Sequence, residues 1–213
     1  MTVQSFNENY VKAKVQQAHR AKDTVKQQAN SAFPGQHVTT AWPILDLGIR
    51  PVFDPATWDL TIDGLVENPM SYSWESFSQL PRHRARADFH CVTRWSRLDN
   101  LWEGVFFSSI VAQVRPTEQA RFVLFASSDG YTTNLELSEL EQENCLLATH
   151  HDNRPLSKEH GGPLRMIIPH LYGWKGAKWV RKVTFSAADQ PGFWEVRGYH
   201  NRGRVDLEER YSD

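Results

Sequence analysis

The sequence predicts an α+β fold of mixed sheets and short helices, with a helical extension at its N-terminus. Three observations carry that expectation. From Pro34 onward, Pro and Gly interrupt every segment, so the elements between them must be short. Runs with strand periodicity recur along that part of the chain, interspersed with short stretches that open on serine, a residue suited to helix caps. No internal repeat is visible.

The elements follow in order. Residues 1 to about 33 contain no Gly or Pro and are rich in Gln, Lys and Ala. Val11, Val15, Ala18, Val25 and Ala29 form a thin apolar stripe at helical spacing, and Phe33-Pro34-Gly35 ends it. The stripe suits a helix packed lightly on the body, with an oligomerisation helix as the sharper alternative. The chain thus divides into an extension, 1–33, and one domain, 34–213. Trp58 to Val66 alternates as a strand with Leu60 and Ile62 on one face. Ser73 caps a helix through Leu80, and Ser108 caps another through Val114. Arg121 to Ala126 is a continuous apolar run, the mark of a strand buried on both faces. Ser138 to Asn144 reads as a short helix, and Leu164 to Ile168 and Trp179 to Phe185 as strands.

Composition narrows the function. With 213 residues, 40% hydrophobic and 23% charged, the chain can bury a core without disulfides. A net charge of −1 implies no general affinity for nucleic acid or an anionic membrane. Two cysteines do not make a secreted disulfide framework. The first residues lack the pattern of an export signal, and no apolar stretch is long enough to span a bilayer, so a cytoplasmic location is expected.

Several segments carry chemistry. Cys91 lies between His90 and Arg94, whose positive charge would favour a thiolate, a nucleophile and a soft metal ligand. A buried core thiol is the plain alternative, and it is the expected role of Cys145 among apolar neighbours. In His160-Gly-Gly-Pro-Leu-Arg165 the glycines permit close backbone approach, and a guanidinium at a strand end can grip a phosphate. The segment 169–179 packs glycines, Lys175, Lys178 and aromatics into one loop suited to oxyanions and planar rings. Tyr199, between Arg197 and His200, is a candidate proton or hydrogen-bond donor. Ser127 to Tyr131 forms a possible ligand rim at the end of a strand. His150-His151-Asp152 lacks zinc-motif spacing and is discounted.

The order of these segments says more than any one of them. Phe89-x-Cys91 with Arg94 after it, then His160-Gly-x-Pro-x-Arg165, then Lys178-Trp179, then Arg197-x-Tyr199, resembles the sulfite oxidase family. Residues 53–69, 128–134, 172–179 and 207–211 resemble recurring segments of its bacterial members. The resemblance implies the molybdopterin-binding fold of that family and a molybdenum-molybdopterin cofactor. It implies Cys91 as the metal's protein ligand and Tyr199 as the active-site tyrosine beside the metal. By the same resemblance Leu45, Asp46, Ser127, His160, Arg165, Gly176, Ala177 and Lys178 would contact the cofactor. The function implied is oxygen-atom transfer to or from a small S- or N-oxygenated substrate, with electrons exchanged with a separate redox protein. The chain departs from the sulfite enzymes in lacking their Arg-Asn-His segment between Val38 and Arg50. Sulfite oxidation proper, a thiol enzyme built on Cys91, and a non-catalytic pterin- or anion-binding module are the competing readings. The oligomeric state and the part the N-terminal helix plays in it stay open.

Overall fold

A computed structural model describes residues 7–20 and 33–212, and the side chains of 18–20 are outside its description. The helices are α1 (Glu8–Arg20), α2 (Trp74–Ser78), α3 (Phe107–Val114) and α4 (Leu137–Leu140). The strands are β1 (His37–Val38), β2 (Asp59–Gly64), β3 (Met70–Ser73), β4 (His83–His90), β5 (Trp95–Phe106) and β6 (Phe122–Ser127). They continue with β7 (Thr132–Glu136), β8 (Leu146–His151), β9 (Arg154–Pro155), β10 (Arg165–Ile167) and β11 (Val180–Ser186). Among the described residues no helix is long and apolar enough to cross a membrane.

The strands form two mixed sheets, which makes the fold the α+β class expected. One runs β1-β5-β8-β10, with β4 also on β5 and β9 on β8; the other runs β3-β2-β11-β6-β7. β1 is parallel to β5 and β11 to β2, while the other pairs are antiparallel. One apolar cluster joins the sheets through α3, combining Leu60 and Ile62, Val123 and Phe125, Ile110 and Val114, Leu147 and Met166, and Val183 and Phe185.

Several expected elements form as read. β2 buries Leu60 and Ile62, and the Ser73 hydroxyl caps α2 by accepting from Ser76 N at 3.2 Å. Others shift. α3 starts at Phe107, so Ser108 lies inside it; Phe106 holds the cap position and makes no side-chain bond there. α4 ends at Leu140, four residues short of Asn144, which turns the chain with φ 65°. β6 buries Val123, Phe125 and Ser127 and leaves Phe122, Leu124 and Ala126 half-covered, so only one of its faces is fully enclosed. In α1 Val11 is buried with the body's core; Val25, Ala29 and the side chain of Ala18 lie outside the described residues.

The hairpin of β4 and β5 was not foreseen, and it places the key cysteine. Its outer face carries Arg84 and Arg86, paired with Glu103 and Asp99 at 2.8 Å each, so no apolar alternation announces it. Behind it, β5 meets β8 so closely at Gly104 that a Cβ there would sit 2.1 Å from the Leu147 carbonyl oxygen. Gly104→Ala should therefore lower unfolding stability by roughly 3 kcal/mol, the scale of an overpacked core. A denaturant midpoint equal to that of the wild type would show that the sheet spreads there without strain.

Candidate active site

Cys91 occupies the turn between β4 and β5. Its N–H donates to the Trp95 carbonyl at 2.9 Å, and its own carbonyl accepts from Arg94 N at 3.1 Å. Arg94 completes the turn in the left-handed region, with φ 73°. Gln36 Nε2 donates to the same Cys91 carbonyl, and Cys91 Sγ lies 3.1 Å from Thr93 Oγ1. Cys91 lines a cavity of about 430 Å³ together with Leu45, Asp46, His160, Arg165, Gly176, Lys178 and Tyr199. Ser127 and Ala177 are not on that wall: Ala177 belongs to the apolar core, and beyond β6 it is Asp129 and Tyr131 that reach the cavity.

The charges differ from the simple expectation. His90 is buried against Ser96, its Nδ1 2.7 Å from Ser96 Oγ, and burial drops its pKa to about 4. It is neutral at pH 7 and supplies no positive field. Arg94 is engaged by Glu208 at 3.3 Å. The cations that favour a Cys91 thiolate are Arg210 and Lys178, but burial outweighs them and pushes the thiol up from its usual value. That weakens the reading of Cys91 as a free nucleophile.

Arg165 is 2% exposed, and no carboxylate pairs with it among the described residues. Nη1 donates to the His160 carbonyl at 2.9 Å and Nη2 to that of Gly176 at 3.4 Å, while Nε has no partner. Burial lowers its pKa to about 9, so it remains charged. Lys178 Nζ donates to the carbonyls of Leu45 and Glu159, both at 2.7 Å. Burial, followed by repulsion from Arg165, brings its pKa to about 7. The His160 ring stacks on Trp42 at 3.8 Å and lies 3.2 Å from the Trp42 carbonyl through Nε2. Asp46 is held by Arg50 at 2.7 Å and by Gly48 N, which outweigh burial and keep its carboxyl below the usual range.

Tyr199 sits among Trp174, Trp194 and Tyr211, with ring centroids 5.0, 4.9 and 5.3 Å away. Burial, then Tyr211 and Cys91, pushes its phenol far above the ordinary value, so it is a neutral hydrogen-bond donor. Its sequence neighbours do not assist it. Arg197 lies over the Phe193 ring at 3.8 Å, and His200 Nδ1 accepts from the N–H groups of Arg202 and Gly203. The discounted His151 packs on Trp42 and Trp102, and no metal-binding group of three or more His, Cys, Asp or Glu forms among the described residues.

The sequence gives no sign of Trp42 in the site, nor that Lys175 of the glycine loop is buried against Glu195 instead of facing a ligand. Lys175 Nζ donates to Glu195 Oε1 at 2.6 Å, to Asn134 Oδ1 at 3.1 Å and to the Asn201 carbonyl at 2.7 Å. The same Glu195 oxygen accepts from Trp174 Nε1 and Thr133 Oγ1, and Oε2 has no partner. Tyr131 donates its hydroxyl to the Trp174 carbonyl.

A cavity lined by a buried thiol, the cations Arg165 and Lys178 and aromatic rings, set on two mixed sheets, defines the site. Residues 47–194 match the family model of the oxidoreductase molybdopterin binding domain, and the chain belongs to that family. It is an oxidoreductase of the sulfite oxidase family that uses a molybdopterin cofactor. It is 45% identical over 177 residues to the oxidoreductase YuiH of Bacillus subtilis, covering 83% of this chain and 89% of that protein. It is 27% identical over 160 residues to the protein-methionine-sulfoxide reductase catalytic subunit MsrP of Campylobacter jejuni, covering 67% of this chain but only 54% of that protein. The sulfane dehydrogenase SoxCD of Paracoccus pantotrophus shares the fold, with a TM-score of 0.60 at 20% identity over 73% of this chain and 46% of that one.

The residues present fit such a cofactor. A buried guanidinium with an unpartnered Nε and no acid beside it calls for an anion, and Cys91, a soft sulfur donor, lines the same aromatic-walled cavity.

Two predictions arise from this geometry. Lys175→Met would leave Glu195 buried without a counter-charge and should cost about 3–5 kcal/mol of unfolding stability. Adding Glu195→Gln should recover part of that loss, and a single variant as stable as the wild type contradicts the pair's importance. Asp129, pushed up to about 6 mainly by burial, must ionise inside the fold at neutral pH. Its contribution to stability is therefore present below pH 4 and lost as pH rises through about 6. In cofactor-free protein, Asp129→Asn should unfold at higher temperature than the wild type at pH 7.5, with the gap closing toward pH 4. An equal gap at both pH values rejects the titration.

Proposed function

We propose that this protein transfers an oxygen atom to or from a small S- or N-oxygenated substrate, with Cys91 as the protein ligand of molybdenum. The observation that carries the proposal is that Cys91 and Arg165, whose buried guanidinium has no carboxylate partner and an unpartnered Nε, line one cavity. Bound there, the molybdenum-molybdopterin supplies the two-electron oxygen-atom chemistry. Arg165 and Lys178 neutralise the cofactor phosphate, while His160, stacked on Trp42, and the backbone at Gly176 border the pterin. Leu45 and Asp46 close the same side, with the Leu45 carbonyl already holding Lys178. Tyr199 keeps its proton and donates a hydrogen bond to the substrate oxygen, oriented by its aromatic neighbours. His90, neutral and bonded to Ser96, fixes the strand end from which Cys91 departs.

The two electrons that the reaction releases or consumes are exchanged with a separate redox protein. The name of the methionine-sulfoxide reductase relative favours sulfoxides as the first substrates to try.

The test uses protein made in a molybdenum-competent host, assayed with sulfoxides and N-oxides against a reduced viologen and with sulfite against an artificial acceptor. The wild type should carry molybdenum and pterin stoichiometrically and reduce a sulfoxide or N-oxide. Cys91→Ser should stay folded and lose turnover, because an alkoxide is a poor partner for a soft metal site. Full activity in that variant, or a wild type without molybdenum, overturns the proposal; turnover of sulfite alone replaces the substrate class.

A further inference from the structure

We propose that α1 is part of the cofactor site: it forms the outer wall of the cavity, and its Lys14 faces the anionic cofactor and holds it in. The inference rests on the reading of this cavity as the molybdopterin site.

The helix is tied to both rims of the cavity. On one side the Tyr10 ring lies 3.6 Å from where a Cβ on Gly48 would stand, just beyond Leu45 and Asp46. On the other, Glu8 Oε1 lies 3.5 Å from Arg197 Nη2, in the turn that leads to Tyr199. Between these ties Val11 is 1% exposed and belongs to the same apolar cluster as Leu47. A helix that served only as a solvated appendage would not bury a valine in the core of the body.

Anchored in this way, α1 carries Lys14 and Gln17 into the cavity lining. Val11, Lys14 and Gln17 succeed one another at three-residue steps, so the face that docks is continuous with the face that lines the cavity. Lys14 is half-buried, and its ammonium lies 5.3 Å from the centroid of the Tyr10 ring. It makes no ion pair among the described residues. Arg165 and Lys178 are committed to backbone carbonyls deeper in the cavity. Lys14 adds a third cation on the outer wall, where it raises the potential around a phosphate-bearing ligand. The two acids in the lining, Asp46 and Asp129, do not claim it: Asp46 is held by Arg50, and Asp129 by the N–H of Tyr131.

The test follows cofactor loss rather than turnover. Holoenzyme is diluted and incubated, then desalted at intervals, and the retained molybdenum and oxidised-pterin fluorescence are measured. Lys14→Glu reverses the charge without touching the core, and Val11→Asp undocks the helix. Both should lose cofactor about fivefold faster or more, the scale of a partly exposed charge contact. Lys12→Glu, on the exposed side of the same helix, should behave as wild type. Melting of the cofactor-free proteins is the control for folding, and Lys14→Glu should leave it unchanged. Wild-type rates of loss in both Lys14→Glu and Val11→Asp overturn the inference while leaving the cofactor reading intact. A wild-type protein that takes up no molybdopterin removes both.

Discussion

The buried pair of Lys175 and Glu195 is the constraint on which the site depends. Removing both charges from water is expensive, and the attraction between them is repaid only when geometry and hydrogen bonds are good. Here Lys175 uses three acceptors and one Glu195 oxygen takes three donors, so the charges are held from five directions by Asn134, Asn201, Thr133, Trp174 and each other. The pair therefore joins two stretches distant in sequence. One is the glycine loop that runs through Trp174 and Gly176 to Lys178; the other is the turn from Glu195 to Tyr199. Gly173 N also donates to the His90 carbonyl at 2.7 Å, which seats the loop on the strand that delivers Cys91. One loop thus sets the relative positions of the sulfur, the phenol and the cations.

The cations are arranged by a different logic. Arg84, Arg86 and Arg181 lie at the surface beside carboxylates, an arrangement that contributes little to stability. Arg165 is enclosed between carbonyls, which orient its head, and the rings of Phe89 and Trp42, which favour its charge but do not cancel it. Lys178 has the same treatment. Leaving positive charge uncompensated inside a fold is unfavourable, and it is tolerated where a ligand completes the electrostatics. The protein is prepared for an anion before the anion arrives, and binding then needs little rearrangement.

Much of this was legible in the sequence, though unevenly. β2 and β11 were visible because their inward residues are apolar, Leu60 and Ile62 in one and Val180, Val183 and Phe185 in the other. Cys91, His160, Arg165, Lys178 and Tyr199 were found by the order of their segments, and the structure brings them to one cavity. The β4–β5 hairpin was not visible, because its outer face is built from Arg–acid pairs that look like a solvated stretch. Ser108 looked like a cap because hydroxyls at helix starts usually cap; here Phe106 enters the helix directly from β5. Lys175 and Lys178 are equivalent in sequence, two lysines in one glycine loop. Only the fold shows that one is an internal strut and the other faces the cavity. Tertiary partners decide such roles, and no local pattern records them.

The neutral side of the site bears on what is transformed there. His90 is neutral, and Tyr199 holds its proton within a box of aromatic rings. Arg210, in the C-terminal segment, is occupied by the carbonyls of Val92 and Gly35, by Gln36 and by the Glu208 carboxylate, and stacks over Tyr172. Charge is thus concentrated at Arg165 and Lys178, with His160 beside them kept neutral mainly by burial, while the Tyr199 pocket offers apolar surface and a hydroxyl donor. A strongly hydrated anion would lose more water in entering such a pocket than one phenol can replace. A neutral molecule with a strongly dipolar S–O or N–O bond loses less, and its oxygen matches a neutral donor. Under the proposed function, this separation of charge within one cavity suits an anionic cofactor on one side and an uncharged oxygenated substrate on the other.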